Sequence, residues 1–261
     1  MNSRRSGLVV AASLLVGITG LIVAVAGPID PPPGPVGSTN KPLADIEPRT
    51  AINATNTPGG SFSLFRITQP GSYYLTGNIT GVSGRHGIEI VASGVTVDLC
   101  GFDLVGVAGS LDGVTAAGSN LDSLSVLNGS VRNWGQEGVD LGRSDIVGGR
   151  VQGVTARDNG SHGIVVESGV TVSECGAHSN GADGFNAGFG STLANCAARG
   201  NTANGFNVAA GCVVTACSAA ENRANGFNAA SNCTLSNCNA QTNTLNGFKA
   251  DDACVITSCT A

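Results

Sequence analysis

Gly-Phe occurs at Gly184-Phe185, Gly205-Phe206, Gly226-Phe227 and Gly247-Phe248, each time 21 residues on, and Gly163-Ile164 stands one interval earlier. A constant period with constant residue types implies one supersecondary unit stacked on itself. With that glycine as position 1, position 2 reads Ile164, Phe185, Phe206, Phe227, Phe248, and position 4 is always Val or Ala. Position 10 reads Val172, Leu193, Val214, Leu235, Ile256, and position 13 reads Cys175, Cys196, Cys217, Cys238, Cys259. Position 15 is alanine from Ala177 to Ala261, and position 18 is asparagine at Asn159, Asn180, Asn201, Asn222 and Asn243. Small or apolar residues therefore fall in pairs at 2/4, 8/10 and 13/15. Spacing by two is the strand period, and the gaps between pairs read as turns.

Three short strands per 21 residues make a triangular coil. Stacked coils place like residues above like at about 4.8 Å, so each column becomes a ladder of one residue type. A helical solenoid would need stripes of period 3.6 and repeats of roughly 33 residues or more. Here Gly, Asn, Thr and Ser interrupt every few residues, which helices tolerate poorly. Abundant glycine (39) and few charged residues (12%) fit neither a helical bundle nor a solvated disordered chain. The expected fold is all-β, a single-stranded right-handed parallel β-helix (a solenoid) of seven to eight coils. Looser coils start at Gly138, Gly113 and Gly87. Gly94-Val-Thr-Val-Asp-Leu-Cys100 matches Gly169-Val-Thr-Val-Ser-Glu-Cys175, which assigns Cys100 to the position-13 ladder, with Asn128 and Val154 in the slots between.

Upstream, Arg4 and Arg5 precede an apolar run from Leu8 to Val25, and Ala24-Val25-Ala26 resembles a cleavage site. Residues 1–26 are expected to be a signal peptide or an N-terminal membrane anchor, since the run nearly reaches the ~20 residues that span a bilayer. Either reading exports the rest, as a secreted or surface protein. Residues 27–60 hold eight of the nine prolines and read as an extended linker. Residues 61–86 are expected to cap the first coil, and residues 87–261 to form the repeats. At the other end the sequence stops inside a coil, so an open end there is expected to contact another chain. Net charge is −5, or −7 without Arg4 and Arg5, which argues against nucleic acid as partner.

The stretches Glu47-Pro-Arg-Thr-Ala-Ile-Asn, Thr57-Pro-Gly and Phe65-Arg-Ile-Thr-Gln-Pro-Gly-Ser-Tyr-Tyr-Leu-Thr-Gly-Asn-Ile-Thr80, with Gly-Val-Thr-Val-Asp-Leu-x-Gly-Phe-Asp-Leu after them, resemble the entry segment of bacterial secreted right-handed parallel β-helix repeat proteins. The resemblance covers about residues 45–261. It implies the pectate-lyase-like fold and an extracytoplasmic place. The wider superfamily contains polysaccharide lyases, pectin hydrolases, epimerases, tailspikes and adhesins, and a fold does not choose among them.

Two readings of function follow. A calcium-dependent lyase needs clustered carboxylates for the metal and an Arg or Lys base, and a hydrolase needs paired carboxylates. The densest polar group is Asp140, with Arg132, Arg150, Asp158 and His162, where long coils give way to regular ones. Ser161-His162-Gly163 resembles the Gly-His-Gly of pectin hydrolases, without its first glycine or its paired aspartates. These residues read more simply as solvated turns, so a site near Asp140 is the rival reading, with calcium as cofactor only for a lyase. The favoured reading is a non-catalytic scaffold or adhesion module without cofactor or bound metal. Its outward position 3 reads Glu89, Thr115, Asp140, Val165, Asn186, Asn207, Asn228, Lys249. The stripe Asn186, Asn207, Asn228, Lys249 is the candidate binding face for a polysaccharide or cell-surface glycan, against the plainer reading of a solvated strand. Nine cysteines in an exported chain suggest disulfides. Ladder spacing permits them, but a buried thiol fills the same slot equally well.

Overall fold

The computed structural model describes residues 47–142 and 146–261. The expected signal or anchor, and the linker up to residue 46, lie outside the described residues. Among these residues there is no α-helix, so none is long and apolar enough to cross a membrane.

The chain winds as a parallel β-helix with three faces. Face one, from positions 2–4, stacks nine strands from Ser63–Ile67 to Phe248–Ala250. Face two, from positions 9–11, stacks ten rungs from Thr50–Ala51 to Val255–Thr257. Face three, from positions 14–16, runs from Ile79–Thr80 to Asn239–Gln241. The long strands Asp122–Arg132 and Val147–Arg157 turn the corner between faces two and three without interruption. Every pairing between named strands is parallel, and parallel crossovers within one sheet are right-handed in about 98% of cases. The stack is about ten coils deep, against the seven to eight expected. Ser63–Ile67 pairs in register with His86–Ile90, Gly71–Tyr74 with Val95–Asp98, and Ile79–Thr80 with Leu104–Val105. These first coils lack the Gly-Phe and Cys signature, so a search by period does not count them.

Each corner is turned by a residue in the left-handed region, one step before an inward ladder. Position 7 carries Gly169, Gly190, Gly211, Asn232 and Ala253 (φ 58–71°). Position 12 carries Glu174, Asn195, Ala216, Asn237 and Ser258 (φ 51–57°), and position 17 carries Asp158, Ser179, Gly200, Glu221 and Thr242 (φ 50–68°). Glycine and asparagine enter this region cheaply, which is why turn residues recur at fixed offsets.

Three invariant columns meet at one point. A Cβ added to Gly184 would lie 2.7 Å from Asn201 Nδ2, 2.7 Å from the Gly205 carbonyl and 3.1 Å from Ala198 Cβ. Position 1 must be glycine because the position-18 amide and the position-15 methyl fill the space. Asn201 Oδ1 accepts from both the backbone N–H and Nδ2 of Asn180 at 3.0 Å, and Asn201 Nδ2 donates to the Ala177 carbonyl at 3.0 Å. Each buried asparagine thus satisfies the turn of the coil before it. One coil earlier than Asn159 the same slot holds Trp134, whose ring packs against the glycines at 81, 87 and 113.

Face one buries Phe185, Phe206 and Phe227, stacked on Phe248 with ring centroids 4.7–4.9 Å apart and planes within 6°. Aromatic pairs prefer offset or edge contacts, so this spacing is imposed by the strands. The cysteines are free thiols. Those of position 13 donate to backbone carbonyls, as Cys217 does to Thr215 at 3.3 Å. In the position-8 ladder of Cys212, Cys233 and Cys254, burial pushes the Cys212 thiol up to about 11. Such groups pack as small hydrophobes with weak S–H donors.

Two sequence assignments shift. Cys100 is exposed, in the left-handed region (φ 50°), and its Sγ lies 3.9 Å from Arg49 Nη1. Four residues, not two, separate Asp98 from Asp103 on the next face, so Leu99 takes the inward place. Leu99 leans over Gly129, where any Cβ would fall 2.4 Å from its own. Asn128 turns the corner (φ 52°) and Gly129 follows it, whereas Val154 fills its slot as expected.

Candidate functional site

The position-3 column stands on the outer side of face one. Register places Asn186 beside Asn207, Asn207 beside Asn228, and Asn228 beside Lys249. The turn after this strand rises beside the column and makes one wall of a groove of ≈ 330 Å³. Gly142 and Val165 line one end and Lys249 and Asp251 the other, with Glu167 on the rim. The amides are half-buried, and Asn228 Nδ2 donates to Asn207 Oδ1 at 2.8 Å. A side-chain amide offers two donors and two lone pairs, so one such bond leaves capacity facing the groove. Four consecutive coils therefore present repeating polar groups along the helix axis, over a floor without bulky side chains.

The same column is different upstream. Glu89 is held by Arg66 Nε at 3.1 Å and by Ser63 Oγ at 2.8 Å. Thr115, next in the column, is buried, and its Oγ1 has no hydrogen-bond partner. Asp140 Oδ1 accepts from the Gly142 backbone N–H at 2.9 Å. Glu89 and Asp140 are therefore separated by a buried threonine.

The other residues singled out with Asp140 lie elsewhere on the coil. Arg150 belongs to face two, where it lines a shallow cavity with Ser125, Gln152 and Thr171. Asp158 is an exposed corner residue paired with Arg157 at 2.7 Å. Arg132 bonds Asp103 at 3.0 Å on face three. His162 Nδ1 lies 3.2 Å from the Asp183 backbone nitrogen and 3.6 Å from its Oδ2. Among the described residues no three His, Cys, Asp or Glu side chains are placed to hold a metal ion.

His162, which the sequence places at position 21 as a turn residue ahead of Asp183, Asn204, Asn225 and Asn246, belongs to a longer polar ladder. Position 21, just before each glycine, reads His86, Asp112, Glu137, His162, Asp183, Asn204, Asn225, Asn246. His86 Nδ1 lies 3.0 Å from Asp112 Oδ2, and Asn204 Nδ2 donates to Asp183 Oδ1 at 2.9 Å. Ser161 Oγ donates to Glu137 Oε1 at 2.8 Å. Burial and a hydrogen bond with Asp112 push the Glu137 carboxyl up to about 7. Burial works the other way on Asp112, but its bonds to His86 and Glu137 hold it below the usual aspartate range. This is a proton-sharing pair. The Glu137 backbone N–H also donates to Asp112 Oδ1 at 3.2 Å, which ties the two acidic residues together across neighbouring coils. Titratable residues in five successive coils were the available signal.

No protein-family model and no curated protein matches the sequence. Among solved structures, the chain is similar to pectate lyase Pel9A, with 16% identity and a TM-score of 0.46 over 74% of this chain and 71% of that one. It is also similar to the A-module of the Azotobacter vinelandii mannuronan C-5 epimerase AlgE4, with 19% identity and a TM-score of 0.47 over 73% and 68%. At this level the likeness says nothing of chemistry. The strand pairing of the chain itself carries its architecture, a right-handed parallel β-helix.

Proposed function

We propose that this is an extracytoplasmic recognition scaffold whose groove on face one holds an extended polysaccharide. The observation that carries this reading is the continuous groove along Asn186, Asn207, Asn228 and Lys249. Its volume lies at the lower end of the range of small-molecule pockets, so it would hold only a few sugar rings at a time. A polymer whose repeat is close to the coil rise can offer the same hydroxyl to each amide in turn. The N-terminal sequence, Arg4-Arg5 followed by an apolar run and Ala24-Val25-Ala26, supports export.

Binding is tested by titrating the purified chain with a panel of neutral and acidic polysaccharides while monitoring for unsaturated ends and for new reducing ends. The reading expects uptake without product, weakened about tenfold or more in Asn207→Ala/Asn228→Ala, since each lost amide removes hydrogen bonds that the sugar must then leave unmade. Product formed by wild type and lost in Asp140→Ala would instead establish a lyase or hydrolase.

A further inference from the structure

A second outward column, at position 16 of face three, has a different chemistry. Register stacks Arg132, Arg157, His178 and Arg199 on four successive coils. Like charges directly opposite on neighbouring strands are destabilising. The next two residues in the column, Ala220 and Gln241, show that the fold does not need basic groups there.

The middle of the column is built around His178. A Cβ on Gly176 would lie 2.7 Å from His178 Nε2, so the imidazole is laid back over position 14, where other coils carry Thr155, Ala197, Ser218 or Asn239. Neither imidazole nitrogen makes a hydrogen bond, whereas His86 and His162 are both tied to aspartates. With the ring lying flat, Arg157 and Arg199 stand on either side, two coil rises or roughly 10 Å apart. Gly200, turning the corner with φ 68° and no side chain, leaves an open cavity of ≈ 410 Å³ with His178, Ser179, Arg199 and Glu221. Arg157 pairs with Asp158 at 2.7 Å and Arg199 with Glu221 at 2.8 Å, all four side chains well exposed. Exposed pairs contribute about 0–1 kcal/mol, so either guanidinium can exchange its carboxylate for another anion at little cost.

We infer that Arg157, His178 and Arg199 form a binding site for acid groups on alternate sugars of a polyanionic glycan running along the helix axis. The guanidiniums receive carboxylates or sulfates in forked hydrogen bonds, and His178 donates to the bridging sugar from below. Burial, with Arg199 and Arg157 beside it and Asp158 opposing, pushes the His178 imidazole down. It is therefore neutral at pH 7 and adds a third positive charge only on acidification. The site is independent of the amide groove on face one.

The test titrates wild type, Arg157→Gln/Arg199→Gln, Glu221→Gln, Asn207→Ala/Asn228→Ala and both pairs combined with polygalacturonate, dextran sulfate, unsubstituted dextran and single-stranded DNA. Circular dichroism melts confirm that the exposed substitutions leave the fold intact. Wild type should bind polygalacturonate, dextran sulfate or both, and which it prefers tells carboxylate from sulfate. The double arginine variant should lose about tenfold or more, by the same factor when Asn207 and Asn228 are replaced as well, and Glu221→Gln should bind more tightly. Affinity should rise as pH falls below the ordinary histidine range, and His178→Gln should remove that rise. The inference is overturned if wild type binds neither polyanionic glycan, if the arginine variant binds as wild type does, or if DNA binds as tightly as the glycans.

Discussion

Single side chains in this fold act through what they leave room for and what they satisfy. Asn201 shows both, since its amide closes the turn of the previous coil and obliges position 1 to be glycine. Asn201→Ala leaves the buried Asn180 backbone N–H without its acceptor. At about 1–3 kcal/mol for such a group, urea unfolding should show a loss of about 1–3 kcal/mol. Ala216 offers the opposite case. It is an exposed alanine in the left-handed region (φ 51°), where the coils on either side carry Asn195 and Asn237. A left-handed residue with a Cβ costs about 1–2 kcal/mol, and asparagine offsets part of that by local hydrogen bonding. Ala216→Asn should therefore raise stability by roughly 0.5–1 kcal/mol, read as a higher urea midpoint at unchanged slope.

Elements here are ladders, and a ladder is only as regular as its turns. The period made positions 2, 10, 15 and 18 legible because each needs one shape of side chain in a slot of fixed size. It misplaced Cys100 because two extra residues in one turn leave the local sequence similar while moving the side chain out to solvent. It followed position 21 only from His162 onward and missed the basic column at position 16, because these are polar and vary from coil to coil, so only strand register aligns them. The position-21 ladder makes a prediction of its own. The Glu137 carboxyl titrates near 7 when folded and near 4.5 when unfolded, so the fold favours its protonated form. Its contribution is full below about pH 4.5 and is lost as pH rises through 7. Asp112, held below 3.8, contributes in the other sense and loses its share on strong acidification. Unfolding free energy should thus decline between pH 4.5 and 7 in wild type, and the decline should flatten in Glu137→Gln. A slope that Glu137→Gln leaves unchanged would place the proton elsewhere.

At the scale of the molecule, about ten coils give a rod whose outer columns repeat at the strand spacing. The sequence showed the rod and the asparagine stripe, because both are periodic. The groove wall was not legible, since it depends on how far the turn after position 4 rises beside the strand. The scattering of Asp140, Arg150 and Asp158 over different faces was equally hidden, because residues close in sequence are carried to different sides of a coil. A surface that repeats favours ligands that repeat, and this separates a recognition rod from a cleft that acts at one bond. The most direct measurement is the affinity of the purified chain for one bound polysaccharide cut into a graded series of oligosaccharides. Affinity should climb with each added sugar until the ligand spans the coils from Asn186 to Lys249, then level off, with the climb shortened in Asn207→Ala/Asn228→Ala. Affinity independent of length, or a full climb in that variant, would contradict a ligand lying along the amide groove.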